Sequence, residues 1–210
     1  MASQAPSEQL AEALSELPLE LGAPQSTKLL ELVTLVEAWA SRINLTGHRG
    51  VEGILAGLVV EALALERVLP ACETLLDLGS GAGFPGLPIA IARGAGCHVS
   101  LLDARERRHH FQRAAIRTLA LSNVTPIHGR AEQLEPVQHQ IVLAQALAQP
   151  EDALRLMERW AVPGGTLALA LSQAPELGLA APLFVRTEVR RYRVPLSGRE
   201  RVLWLGELPS

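Results

Sequence analysis

The chain has 210 residues, 48% of them hydrophobic, with 19 lysine and arginine against 22 aspartate and glutamate and a net charge of -3. That length suits one domain with a small appendage, and the charge excludes a globally basic nucleic-acid binder, so any polyanion must be met by local clusters of cations, nearly all of them arginine. Only two cysteines occur, Cys72 and Cys97, outside any CxxC or Cys/His cluster. Neither a zinc site nor a disulfide framework is expected, and buried thiols in a reducing cytosol are the ordinary reading.

In chain order, the opening MASQAPSEQLAEAL lacks a basic start and an apolar h-region. No apolar run reaches transmembrane length without Gly, Pro or charge, so a soluble cytoplasmic protein is expected, without membrane attachment. Leu29, Leu32, Val33, Val36 and Trp39 recur at helical spacing and predict an amphipathic helix, with Ser26 or Thr27 available as its N-cap. A second helical stretch is predicted from Gly50 to Leu69 after the turn-like NLTGHRG. Beyond Pro70 the texture changes: TLLDLG, HVSLLD, VTPIHG, HQIVLAQ and GTLALAL are short apolar runs separated by helical segments. This alternation predicts an α/β fold on a mostly parallel sheet covered on both faces. The end, EVRRYRVPLSGRERVLWLGEL, alternates around a Pro/Ser/Gly turn and predicts a closing antiparallel hairpin. The chain thus divides into an N-terminal helical region, 1–70, and a larger α/β domain, 71–210.

The stretch LLDLGSGAGFPGLPIAIA follows the first predicted strand. Read from Gly81 it satisfies the G-x-G-x-x-G dinucleotide fingerprint; read from Asp77 it gives D-x-G-x-G-x-G, the glycine loop of S-adenosylmethionine (SAM) enzymes. Glycines at 79, 81 and 83 permit positive φ and close approach of a ligand to the backbone. Asp103 ends the next apolar run, about twenty residues on, where a carboxylate can accept both hydroxyls of an adenosine ribose. Both cofactors want that acid. An acidic Asp77 suits the ammonium of SAM and opposes a pyrophosphate, and Pro85 removes a donor that a dinucleotide loop would use, so residue chemistry favours SAM over NAD.

This segment, followed by VSLLDARERRHHFQRAAIRTLALSNVTPIHGRAEQL, resembles the RsmG (GidB) family of bacterial methyltransferases. The GFPG loop, the Asp followed by Arg and Phe, the L-x-N-V segment and the R-x-E after it carry the resemblance. It extends outward to WASRINLTG and YRVPLSGRERVLWLGE. The resemblance implies a class I SAM-dependent methyltransferase fold, Rossmann-like, and transfer of a methyl group to N7 of a guanosine in 16S ribosomal RNA. It puts Gly79, Gly81, Gly83 and Phe84 at the cofactor loop, Asp103 on the ribose, and Ala131 with Glu132 beside the adenine. Gln145, where the family carries arginine in an S-R-A triplet, falls near cofactor and substrate. Two further departures are Ala170-Leu171 in place of Lys-Gly, and Leu58, Glu61 and Ala62 in place of H-x-x-D-S. They motivate an alternative, a diverged relative that binds SAM as a ribosome-associated or regulatory module or methylates another substrate. From the residues alone, Glu132 reads equally as a solvated helix-start carboxylate.

Guanine N7 carries a lone pair and no proton to remove, so no catalytic acid or base is expected and alignment is the main demand. RNA requires a basic surface. Arg107, Arg113 and Arg117, with His110, fall on one arc of the helix after Asp103, opposite Phe111, Ala115 and Leu119, and a solvated face is the rival reading. Arg108 on the same helix and Arg130 after the next strand complete the candidate RNA contacts. Phe84 is the one aromatic placed to stack on an unstacked base. The arginines at 186, 190, 191 and 193 are expected to be split between strand faces and diluted by Glu188. The expected partner is 16S ribosomal RNA or the small ribosomal subunit, met by a monomer without metal.

Overall fold

A computed structural model of the chain describes residues 4–145, 149–175 and 184–210. Five runs form parallel strands: β1 (Thr74–Leu78), β2 (His98–Asp103), β3 (Val124–His128), β4 (His139–Gln145) and β5 (Ala161–Leu171). Two more, β6 (Arg186–Arg193) and β7 (Glu200–Glu207), form the closing hairpin. The sheet order is β3-β2-β1-β4-β5-β7-β6, parallel through β5, with β7 antiparallel to both β5 and β6. The strand order therefore reverses between β1 and β4, and in open sheets of this kind ligands bind beyond the carboxyl ends at such a switch.

The continuous apolar runs of β1, β2 and β4 follow from cover on both faces. Successive residues alternate between two cores. Leu75, Val99, Leu101 and Leu143 join the core beneath the helical region, whereas Leu76, Leu102, Val142 and Ala144 join a second core with Met157 and Trp160. The edge strands read differently. β3 contains Pro126, tolerable only where an N–H need not be donated to a neighbour on that side. β6 alternates as expected, its Arg190 turned to Glu188 (2.8 Å) and to the Val68 carbonyl (2.6 Å), with Arg191 and Arg193 exposed on the other face.

The helical region consists of α1 (Pro6–Ser15), α2 (Ala23–Ala40), α3 (Gly50–Ile54) and α4 (Glu61–Glu66), the last two joined by a π-helical turn over Leu55–Val60. One expectation needs correction here. α2 begins at Ala23, three residues before Ser26. Pro24 takes a first-turn position where its missing N–H costs nothing, and the Gln25 side chain accepts the Gly22 N–H at 2.7 Å. Thr27, inside the helix, instead donates its hydroxyl to the Ala23 carbonyl. The stretch after Gly50 is helical as predicted but wider in its middle, a local departure that often accompanies function. Leu29, Leu32, Val33 and Val36 are fully buried, and their core is continuous with one face of the sheet, so the regions 1–70 and 71–210 share apolar cover. Trp39 meets Phe111 edge to face at 5.6 Å, joining α2 to α6 (Glu106–Thr118). Helix α5 (Gly86–Arg93) follows β1, and α7 (Pro150–Glu158) packs Ala153, Leu154 and Met157 on the opposite face. No described helix is long and apolar enough to cross a membrane, and no described group of three or more His, Cys, Asp or Glu could hold a metal.

Candidate functional site

The chain turns sharply after β1. Gly79, Gly81 and Gly83 have φ of +76°, +58° and +83°, in the left-handed region that side chains with a Cβ disfavour. The Phe84–Pro85 peptide is cis. Gly79 and Ser80 donate their N–H groups to the Leu102 carbonyl at 2.9 and 3.0 Å, pinning the loop to the end of β2. Asp103 completes the attachment. Its Oδ2 accepts the Gly81 N–H (2.9 Å) and Arg108 Nη1 (3.2 Å), and its Oδ1 accepts the Arg105 N–H (2.8 Å).

A second support was not foreseen. Gln112 is fully buried on α6 and donates Nε2 to Ser80 Oγ (2.9 Å) and to the Gly81 carbonyl (2.8 Å). The available signal was a polar residue on the apolar arc, next to Phe111. Asn123 of the L-x-N-V segment proves structural: its amide donates to the carbonyls of Ala90, Gly94 and Cys97.

Asp77 lies under the loop, 1% exposed, and does not reach the cleft wall. Its Oδ2 accepts the Gly86 N–H at 2.8 Å at the start of α5, while Oδ1 has no partner among the described residues. Burial pushes its carboxyl up to about 7, the Gly86 N–H pulls the other way, and Asp103 adds to the rise. The residue expected to face an ammonium therefore tethers loop to helix. A Cβ at Gly86 would collide with the Leu101 side chain and with Asp77 itself.

Beyond the loop opens a cavity of about 400 Å³. One wall is Gly79–Ala82 with Phe84, Pro85 and Arg108; the opposite wall comes from Leu45, Thr46 and His48, from Leu58, Glu61 and Ala62, and from Tyr192, Arg199 and Arg201, with Gln145 at the end of β4 between them. Glu61 Oε1 accepts Arg201 Nε at 2.9 Å and lies 3.5 Å from Gln145 Nε2. Although residue 145 is not an arginine, a guanidinium thus stands at this end of the cleft. The His48 ring packs against Gly57 so closely that any Cβ there would overlap it. Burial pushes the Tyr192 hydroxyl above its ordinary range, with Glu61 adding to the rise. Ala146, the last residue of the A-Q-A triplet, lies outside the described residues.

Gly83 is buried against Leu87 and supports the loop from behind. Ala131 is buried in the second core, and Glu132 beside it is exposed, its carbonyl accepting Arg159 Nη1 at 3.1 Å. Arg107, Arg113 and Arg117 are exposed on α6 with His110, and Arg130 is exposed after β3. Arg108 turns the other way, into the cleft and onto Asp103. His109 is less exposed than a surface position implies; it stacks on His128 at 5.2 Å, and desolvation lowers its pKa.

Together, the strand order, the glycine loop at the switch point and the acid closing β2 define a class I SAM-dependent methyltransferase. The TomG O-methyltransferase of Streptomyces achromogenes, solved in complex with SAM, shares the fold at a TM-score of 0.56 and 11% identity, over 97% of this chain and 96% of its own.

Within that class, residues 25–190 match the family described as rRNA small subunit methyltransferase G (GidB), and the chain belongs to it. The ribosomal RNA small subunit methyltransferase G of Bordetella pertussis is 36% identical over 180 residues, 81% of this chain and 78% of that one. The protein of the same name in Myxococcus xanthus is 32% identical over 203 residues, 92% and 93% of the two chains.

Proposed function

We propose that this protein transfers the methyl group of SAM to N7 of a guanosine in 16S ribosomal RNA, acting as a cytoplasmic monomer on the small ribosomal subunit. The observation that carries the reading is the cleft between two unlike walls, a backbone loop tied to Asp103 on one side and Glu61, Tyr192 and Arg201 on the other.

The residues fit the cofactor. A cradle of positive-φ glycines would admit a ligand against bare backbone, and the Asp103 carboxylate, largely buried and tied to the Gly81 N–H, lies behind the cleft lining at the strand end where a ribose would be gripped. Gly79, Gly81 and Phe84 would hold the methionine end, with Gly83 shaping the loop. Asp103 would accept ribose hydroxyls, Ala131 and Glu132 would flank the adenine, and Gln145 would border the transferred group. When bound, SAM supplies an electrophilic methyl on sulfur. The protein then has to orient the nucleophile, because N7 has no proton to lose; orientation of this kind can supply about 7–11 kcal/mol. Glu61 and Arg201 would present a fixed acceptor and donor toward a purine edge, and Phe84 a face for stacking. Arg107, Arg113, Arg117 and Arg130 would contact phosphates outside the cleft.

Labelled SAM incubated with small subunits from cells lacking this modification tests the reading. Label should enter 16S RNA, and reduction followed by aniline should cleave the chain at the modified guanosine. Label at an exocyclic or ribose oxygen position, or no transfer despite measurable SAM binding, would overturn it.

A further inference from the structure

Cys72 and Cys97 are 25 residues apart and belong to no motif, yet the fold brings their sulfurs to 3.7 Å. The cause is the parallel register of β1 and β2. Thr74 pairs with His98, and the His98 N–H donates to the Glu73 carbonyl at 2.7 Å, so the ladder reaches back to the two strand entries where the cysteines sit. These are the amino ends of the two strands, at the end of the sheet remote from the glycine loop.

The surroundings differ from those of an inert buried thiol. Arg93, the last residue of α5, places Nη1 at 2.8 Å from Cys72 Sγ and 3.8 Å from Cys97 Sγ. The guanidinium is itself fixed, Nε to Glu66 Oε1 at 2.8 Å and Nη2 to the Pro70 carbonyl at 2.9 Å. Cys72 is half-buried, and both thiols line a cavity of about 320 Å³ together with Glu66, Arg93 and Gly96. The S–H of Cys72, followed by the Arg93 guanidinium, draws the Cys97 thiol down to about 6 against the effects of burial and Glu66, while loss of the second proton, from Cys72, is pushed up. One thiolate shared between two sulfurs beside a cation is a nucleophile with its resolving partner already in contact.

We propose that Cys72 and Cys97 form a redox-active dithiol that closes to an intramolecular disulfide on exposure to hydrogen peroxide. The thiolate attacks one peroxide oxygen; the O–O bond breaks, and the departing hydroxide takes a proton to become water, leaving a sulfenic acid. The second thiol attacks that sulfur, the S–O bond breaks, and a second water leaves. Two thiols and one peroxide give one disulfide and two waters, the sulfurs losing the two electrons that the peroxide gains. A small thiol reductant reverses the change. The sulfurs must close from 3.7 Å to about 2.05 Å. The residues that would have to move lie outside the strands, at 71–73 before β1 and in the 3₁₀ turn Gly94–Gly96 with Cys97 before β2. The bond would loop together β1, the glycine turn and α5.

Peroxide treatment of the full chain, followed by intact-mass and peptide analysis, tests this. A few-fold molar excess should remove the mass of two hydrogens, abolish both titratable thiols, yield a Cys72–Cys97 linked peptide, and be reversed by dithiothreitol. The oxidised protein should melt several degrees higher because a crosslink restricts the unfolded chain. Cys72→Ser and Cys97→Ser should each lose the crosslink and leave a sulfenic acid that dimedone traps. Arg93→Met should slow the reaction several-fold even where it melts like the parent. Oxygen addition at a single cysteine of the parent, disulfide-linked dimers alone, or two thiols that persist under these conditions would overturn the proposal.

Discussion

The two walls of the cleft are built by opposite means. The loop wall comes mostly from one short run, Gly79 to Pro85, with much of its surface backbone and Arg108 added from α6; its support comes from the next strand end and from Gln112. The facing wall is assembled from side chains on three separate segments, and its central ion pair, Glu61 with Arg201, spans 140 residues of chain. A backbone-built wall tolerates drift in side chains as long as its glycines and its acid persist. In the side-chain-built wall, Gln145 and Arg201 meet through their shared partner Glu61.

If that contrast holds, damage to the first wall should appear in cofactor affinity and damage to the second in methyl transfer. The largest effect is expected for Asp103→Ala. Loss of a charge-assisted grip worth about 1.5–3 kcal/mol should weaken S-adenosylhomocysteine binding by about 10- to 100-fold in calorimetry. An unchanged affinity would remove Asp103 from the cofactor wall. Next, Glu61→Ala leaves Arg201 and Gln145 without their shared acceptor and should lower transfer to small subunits by about tenfold. Its homocysteine-product affinity should stay within about twofold of the parent; parallel losses in both would mean that the walls are not separable.

Asp77 probes the joint beneath the loop through pH. Its folded pKa, about 7, lies above the value near 3.9 of an unfolded aspartate, so the folded state binds the proton more tightly. The stabilisation is complete below about pH 4 and declines as pH rises to 7, by at most about 4 kcal/mol, then levels off. Urea titrations across that range should show the decline in the parent and a flatter profile for Asp77→Asn, which keeps an acceptor for Gly86; identical slopes would refute the assignment. The smallest effect concerns the exposed arc. Replacing Arg107, Arg113 and Arg117 together by Gln should reduce the salt dependence of subunit binding by about two units of log–log slope. Cofactor affinity should not move, and an unaltered salt slope would make the arc a solvated face.

Particular residues show where the sequence sufficed. The five parallel strands and the hairpin were legible because each is a short apolar or alternating run bounded by turn residues, a signal carried entirely by neighbours in the chain. The glycine turn after β1 and the place of Asp103 at the end of β2 were legible because the motif and its spacing are local. The start of α2 was misplaced because a hydroxyl residue competed with Pro24 and Gln25, whose capping needs the actual backbone. Sequence points Asp77 toward an ammonium because it gives proximity without direction; the fold turns the carboxylate under the loop. Gln112 was hidden by the same limit, since helical periodicity marks a face and cannot say what that face touches.

By itself, then, the order of residues determined the α/β class, the strands, the glycine turn and the family, because those depend on hydrophobic period and on local backbone freedom. Tertiary structure alone decided which wall faces the loop, that Arg201 stands beside Gln145, and that two unremarkable cysteines touch. Strand pairing and packing make neighbours of residues far apart in the chain, and side-chain chemistry depends on distance in space.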